Sequence, residues 1–428
     1  MCRVHGSVPL PVATGPPGTI RKQTQYGRRG ASARVADKPI VSAPIDSLQV
    51  GMHGSLARPD GLDRMLHMLV DALPRQGVNV RAPGTPLPLA RAASDGLAQA
   101  PVPAQTGLVG SLLRRVYPGH PGPREAESPR RPDVVALHSA PHATPILGKF
   151  GKVPRVVHFH GSWADERYTE RGMSLPGVLR YGLERIVYQG GTRLIVQSLD
   201  AADLLNIRYR VPEDRIRVVP ACVDTSRYAV RGNRRQVRSL LKVPQDRPVV
   251  LCVRPLLPGM GLEALVDAIF VVRQRVPDVY VMIVGTGPKE RRLSARIDAR
   301  GLAQHVFLRG FVPDDVLPQY YRAADLTVVP ALAMKDCGLT AIESLATGTP
   351  VLVTAVGGLA ETVMPLCEEL VLTSGGYPEL AAGISDALLG VRFTPSGDAC
   401  RRYARKYFDH AIVAATTAGV YRDAIDSF

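Results

Sequence analysis

LTVVPALAMKDCGLTAIESLATGTPVLVTAVGGLAE, residues 326–361, decides the fold class. LTVVPA (326–331) is a short apolar run closed by proline, as in a buried strand. A loop, a helical segment over Thr340–Ala346 and a second strand, PVLVTA (350–355), follow it, and Gly357 and Gly358 close the unit. Gly338 sits where the loop enters the helix, whose first turn offers free N–H groups and a positive dipole end to a phosphate. Glu343, further along that helix, is a carboxylate suited to accept hydrogen bonds from a ribose diol. Gly357 and Gly358 allow backbone to approach a ligand with no side chain between them.

The same alternation extends outward in both directions. PVVLCV (248–253), VYVMIVG (279–285), VFLRGF (306–311) and ELVLTS (369–374) join the two runs above as one series, with helical spacing over Leu262–Val276. An earlier series comprises Ser47–His53, VVALHS (134–139), RVVHFHG (155–161), RLIVQS (193–198) and IRVVPA (216–221), with helices over Leu62–Ala72 and Leu175–Tyr188. The basic stretch 231–238 separates the two series. Apolar strands alternating with helices predict parallel sheets covered on both faces. Two series predict an α/β chain of two Rossmann-like domains, with ligands in the cleft beyond the carboxyl ends of the strands. The expected boundaries are an irregular extension at 1–45, a first domain at 46–228, a second at 229–405 and a C-terminal helix at 406–428 packing back on the first domain. Residues 92–132 read as a surface excursion holding a short amphipathic helix, Gly107–Tyr117, that ends in Arg114 and Arg115.

Composition narrows the function. Hydrophobic residues make up 45% of the 428 and charged ones 21%, ordinary for a globular chain. No apolar run reaches the ~18 residues of a membrane span, and the first residues lack a secretory apolar core, which predicts a cytoplasmic protein in at most peripheral contact with a membrane. Cys2, Cys222, Cys252, Cys337, Cys367 and Cys400 have neither disulfide-framework nor metal-ligand spacing and read as free thiols, and with no DxD-type carboxylate pair at a suitable place no metal is expected. The net charge of +15 favours anionic ligands. No zinc-finger spacing, aromatic RNA-binding motif or heptad-linked basic helix accompanies it, so nucleic acid is not an expected partner.

From about residue 46 onward the chain resembles the family-four glycosyltransferases, retaining enzymes of the GT-B fold. VGTGP (284–288), FLRGFVPDDVLPQYYRAADLTVVPA (307–331), GLTAIESLATGTPVLV (338–353) and VGG (356–358) resemble that family's donor-side landmarks. DGLDRML (60–66), HFHGSW (158–163) and PACVDTSRY (220–228) are similar to its acceptor-side motifs. The resemblance implies a nucleoside-diphosphate sugar as donor, no cofactor, and a small-molecule or glycan acceptor. Glu343 matches the second glutamate of the family's E-x7-E motif, which holds the donor ribose. Gly338 and Leu339 match the diphosphate-binding backbone, and Gly285, Gly310 and Arg254 fall on the nucleotide side. Gly61 matches the glycine of a loop facing the phosphates, and His160 a histidine near the reacting sugar. His158, two residues earlier on the same side of the strand, leaves a structural role for that pair open.

Two features depart from the pattern. The first glutamate of E-x7-E is replaced by Lys335, with Asp336 beside it as the substitute carboxylate. The family's Arg and Lys that neutralise the leaving diphosphate fall at Pro255 and Met260, with Arg254 one residue away. Lys335 either takes over that charge or marks a weakened enzyme. The alternatives to transfer are therefore a catalytically weakened nucleotide-binding homologue and a nucleotide-sugar 2-epimerase.

Overall fold

The computed structural model describes residues 44–50, 61–81, 131–138, 140–143, 151–161, 175–230, 232–332 and 338–428. Lys335, Asp336 and Cys337, the N-terminal extension up to residue 43, and the proposed helix Gly107–Tyr117 lie outside them.

The first sheet holds β1 (Ile45–Val50), β2 (Val78–Arg81), β3 (Val134–Leu137), β4 (Arg155–His158), β5 (Arg193–Val196) and β6 (Ile216–Val218), ordered β2-β1-β3-β4-β5-β6. The second holds β7 (Val249–Val253), β8 (Tyr280–Val284), β9 (Val306–Gly310), β10 (Leu326–Val329), β11 (Val351–Thr354) and β12 (Val371–Leu372), ordered β12-β11-β10-β7-β8-β9. Every strand pair is parallel. All four residues of β3, β10 and β11 are buried, as strands covered on both faces must be. Helices fit onto these faces through apolar stripes. In Leu262–Arg275 the buried set Leu262, Leu265, Val266, Ile269 and Val272 recurs at helical spacing.

The expected series is present, with corrections. β1 begins at Ile45, two residues before the predicted start at Ser47. β2 was not predicted; Val78 is its only fully buried residue, so VNVR carries little apolar signal. The closing segment is two helices, Gly397–Phe408 and His410–Asp426, because Asp409 is extended (φ −64°, ψ 136°) and caps the second through the Ala411 amide at 3.0 Å. That second helix lies against the first sheet. Asp423 accepts from Arg193 at 2.8 Å and Arg217 at 2.9 Å, and these bonds, led by the one from Arg193, hold its carboxyl down at about 2.

In each sheet the chain reverses its winding between two adjacent strands, β1 and β3 in the first and β7 and β10 in the second. Open α/β sheets bind ligands beyond the carboxyl ends at such points.

Candidate functional site

At the carboxyl ends of β7, β8 and β9, three predicted residues come together. The Arg254 amide donates to the Val284 carbonyl at 2.9 Å, and the Gly285 amide to the Gly310 carbonyl at 2.8 Å. Gly285 has φ 139°, and a Cβ there would meet the Arg254 carbonyl oxygen at 2.0 Å, so close backbone approach explains this glycine. Arg254 is buried, at 6% exposure. Pro255 is exposed and Met260 packs against the second domain's core, so neither position supplies the cation expected there.

Gly338 is the N-cap of the helix Leu339–Thr347, at φ 78°, where a Cβ would lie 2.4 Å from the Thr362 hydroxyl. This αL residue lets the loop turn directly into the helix. Glu343 lies one turn on and is only 3% exposed. Its Oε2 accepts from the Tyr321 hydroxyl at 2.7 Å and its Oε1 from Arg64 Nη2 at 3.3 Å. Arg64 Nη1 also donates to Asp314 at 2.6 Å. Burial first, and the Glu343 charge second, push the Tyr321 and Tyr228 phenols well above the ordinary tyrosine range, so both remain O–H donors. Arg64 belongs to the helix Gly61–Ala72 of the first domain, so the ribose-binding candidate is already tied across the cleft. Gly61 starts that helix, one turn before Arg64.

A second carboxylate also bridges the cleft. Glu361, in the helix Gly358–Val363, accepts from the Leu199 amide at 2.7 Å and the Asp200 amide at 3.1 Å. These are first-turn donors of the helix Leu199–Tyr209, so a carboxylate from the second domain meets the positive end of a first-domain helix. Burial raises the Glu361 pKa more than these amides lower it.

His160 follows β4 and lies beside His138 and His158 at the carboxyl edge of the first sheet, with ring nitrogens of the three within 4.8 Å of one another. Their rings are nearly parallel: 26° between His138 and His158, 7° between His138 and His160, and 21° between His158 and His160. A metal lies in the plane of each ring it binds. A near-parallel stack with centroids 4.3 Å apart does not converge on one point, so this trio does not fit a metal centre as arranged. Burial lowers all three pKa values, well below normal for His138, to about 3 for His158 and to about 4 for His160. The rings are neutral at pH 7.

Among the described residues no disulfide forms, and burial pushes the Cys252 and Cys400 thiols up to about 12. No helix among them is long and apolar enough to cross a membrane.

Arg64, Tyr321, Glu361, His138 and Gln49 were not singled out from the sequence. Arg64 stands three residues after the predicted Gly61, and that spacing was the one available signal. The others face the site through contacts remote in sequence.

Residues 233–407 match the family model described as glycosyl transferases group 1, and residues 59–227 the model described as glycosyltransferase family 4. The 2-deoxystreptamine N-acetyl-D-glucosaminyltransferase of Streptomyces fradiae is 28% identical over 73% of this chain and 74% of its own. The D-inositol 3-phosphate glycosyltransferase of Acidothermus cellulolyticus is 33% identical over 56% of this chain and 55% of its own. A mannosyltransferase of Mycolicibacterium smegmatis, GDP-mannose-dependent and named for phosphatidylinositol monomannoside, is 30% identical over 42% of this chain. The chain thus spans about three quarters of the first relative's length but only about half of the other two, 55% and 49%. Among solved structures, the sucrose-phosphate synthase of Thermosynechococcus elongatus superposes with a TM-score of 0.67 at 22% identity, over 90% of this chain and all of its own. Anabaena HepE in complex with UDP superposes with a TM-score of 0.65 at 18% identity, over 89% of this chain and 99% of its own. The two parallel sheets and these neighbours establish the GT-B fold.

Proposed function

The chain belongs to the family-four glycosyltransferases, and on that premise we propose that it is a retaining enzyme moving a sugar from a nucleoside-diphosphate sugar to a hydroxylated acceptor without a metal. The observation that carries this reading is Glu343. It is a buried carboxylate in the first turns of a helix that opens with an αL glycine, beside the β7–β10 switch point. Backbone N–H groups at Gly338 and Leu339 take the diphosphate, and Glu343 takes the ribose. In the reaction the bond from the sugar's anomeric carbon to the diphosphate breaks. The acceptor oxygen bonds to that carbon on the same face, and its proton passes to the departing phosphate oxygen. Lys335 offsets charge on the leaving group and Asp336 contacts sugar hydroxyls.

The relatives' names support a cyclitol-type acceptor, since 2-deoxystreptamine, inositol 3-phosphate and phosphatidylinositol all present a hydroxylated six-membered carbocycle. The complex of Anabaena HepE with UDP-glucose supports a nucleotide sugar as donor. Pro255 and Met260 favour a second reading, a homologue that binds nucleotide and turns over slowly. The test is a thermal-shift panel of UDP, GDP, ADP and TDP, followed by their sugar forms with and without cyclitol acceptors. Acceptor-dependent release of nucleoside diphosphate supports transfer. Binding without turnover identifies the weakened homologue, and a C2-epimerised donor formed without acceptor identifies the epimerase.

A further inference from the structure

His160 carries an unmet requirement: its Nδ1 is buried and has no hydrogen-bond partner among the described residues. The chain behind the ring determines what that nitrogen is. The Asn79 carbonyl, on β2, can only accept, and the Ser47 hydroxyl donates to it at 3.0 Å. Ser47 has thereby used its single hydrogen, so its oxygen accepts from Gln49 Nε2 at 3.1 Å. Ser47 and Gln49, two apart on β1, share a face of the strand. This fixes the Gln49 amide with Oε1 toward His138, 2.8 Å from Nε2, and that nitrogen must donate. His138 is neutral, because burial holds its pKa well below normal. Its Nδ1 is then a lone pair, facing His160 Nε2 at 3.4 Å, and it accepts from that nitrogen. The opposite polarity would set two acceptors against each other at 2.8 Å, or flip the Gln49 amide and cost the Ser47–Asn79 bond.

We propose that Asn79, Ser47, Gln49 and His138 form a polarised chain that fixes His160 in its Nε2–H tautomer and makes its Nδ1 an acceptor for a hydroxyl of the bound sugar. The four are positioning residues; His160 alone meets the ligand. A cavity of about 20 Å³ between Met65, Leu69, His158, His160, Ile195 and Gln197 has room for one water or one ligand hydroxyl. An imidazole locked in this way offers the sugar an acceptor and no N–H at that nitrogen. It selects a donor carrying an O–H at that point over one lacking it or carrying a bare acceptor. The inference rests on the proposed placement of His160 beside the donor sugar.

The test uses the full chain labelled with ¹⁵N-histidine and a two-bond ¹H–¹⁵N correlation, the His160 signals being identified by their loss in His160→Gln. The wild type should show a protonated Nε2 and a bare Nδ1 without ligand. Ser47→Ala, which frees the Gln49 amide to flip, and Gln49→Met, which removes the acceptor from His138, should each give a tautomer mixture at His160. In both variants affinity for the nucleotide sugar should fall in proportion to the His160 fraction that leaves the Nε2–H form, about twofold for an even mixture and up to about tenfold, the effect of one buried hydrogen bond, where the other tautomer dominates. Affinity for the bare nucleoside diphosphate should hold. A wild-type His160 protonated at Nδ1, or variants that leave its tautomer unchanged, would overturn the chain. A shifted tautomer with unchanged sugar affinity would overturn the acceptor role while leaving nucleotide binding intact. Failure to bind any nucleotide would sink the transferase reading, and the spectrum would still decide the chain.

Discussion

Glu343→Gln separates the two roles that the geometry gives this residue. The carboxylate is 3% exposed, accepts from Tyr321 at 2.7 Å, and pairs with Arg64 at 3.3 Å. Glutamine keeps the size and the acceptor for Tyr321 but loses the charge. Breaking a buried ion pair outright costs about 3–5 kcal/mol, because a charge is stranded. Here Arg64 retains Asp314 at 2.6 Å in a site 34% exposed on the aspartate side, so the expected loss of folding stability is about 1 kcal/mol. Nucleotide binding should suffer more. Hydrogen bonds to a charged acceptor contribute about 1.5–3 kcal/mol against about 0.5–1.5 for a neutral one. The difference, roughly 1.4 kcal/mol, is about tenfold in Kd. Urea unfolding and calorimetric titration with the nucleoside diphosphate measure the two effects on one preparation. An unchanged Kd would remove Glu343 from the ribose site, and a stability loss above about 3 kcal/mol would make it mainly a structural brace.

Gly285→Ala should cost about 3 kcal/mol or more, since its Cβ would collide with the Arg254 carbonyl at 2.0 Å, and a purified variant that melts like the wild type refutes this. Stability should fall as pH drops from 6.5 toward the folded values of about 3 for His158 and about 4 for His160, because the unfolded chain binds protons that the buried rings refuse. The slope approaches about 1.4 kcal/mol per pH unit per ring, and His158→Gln should flatten it in urea titrations at pH 7, 6 and 5. Lys335→Ala should lower kcat by about 10²–10³-fold with a smaller effect on nucleotide affinity; if Lys335→Glu instead raises activity toward common nucleotide sugars, the lysine is a lesion.

Strands such as β10 and β11 were legible because a buried parallel strand is apolar throughout, and LTVV and VLVT say so directly. β2 was not, because a half-buried VNVR at the edge of a sheet differs little from a loop. The break at Asp409 was hidden because neither proline nor glycine marks it and a single residue separates the two helices. Local motifs identified Gly338 and Glu343, whose spacing along one helix is itself the signal. The partners of Glu343 escaped because Arg64 lies 279 residues away in sequence, and nothing local encodes such a contact. Gln49 and His138 escaped likewise, being 89 residues apart and joined only once β1 and β3 pair.

Retention is the most exposed part of the account. The measurement is the anomeric configuration of the isolated product, read from the coupling constant of its anomeric proton, with an α-configured nucleotide sugar as donor and a cyclitol as acceptor. Same-face attack predicts an α-glycoside together with one equivalent of nucleoside diphosphate. A β-glycoside would contradict it, because the acceptor would then have attacked from the opposite face and needed a base that the proposed mechanism does not contain.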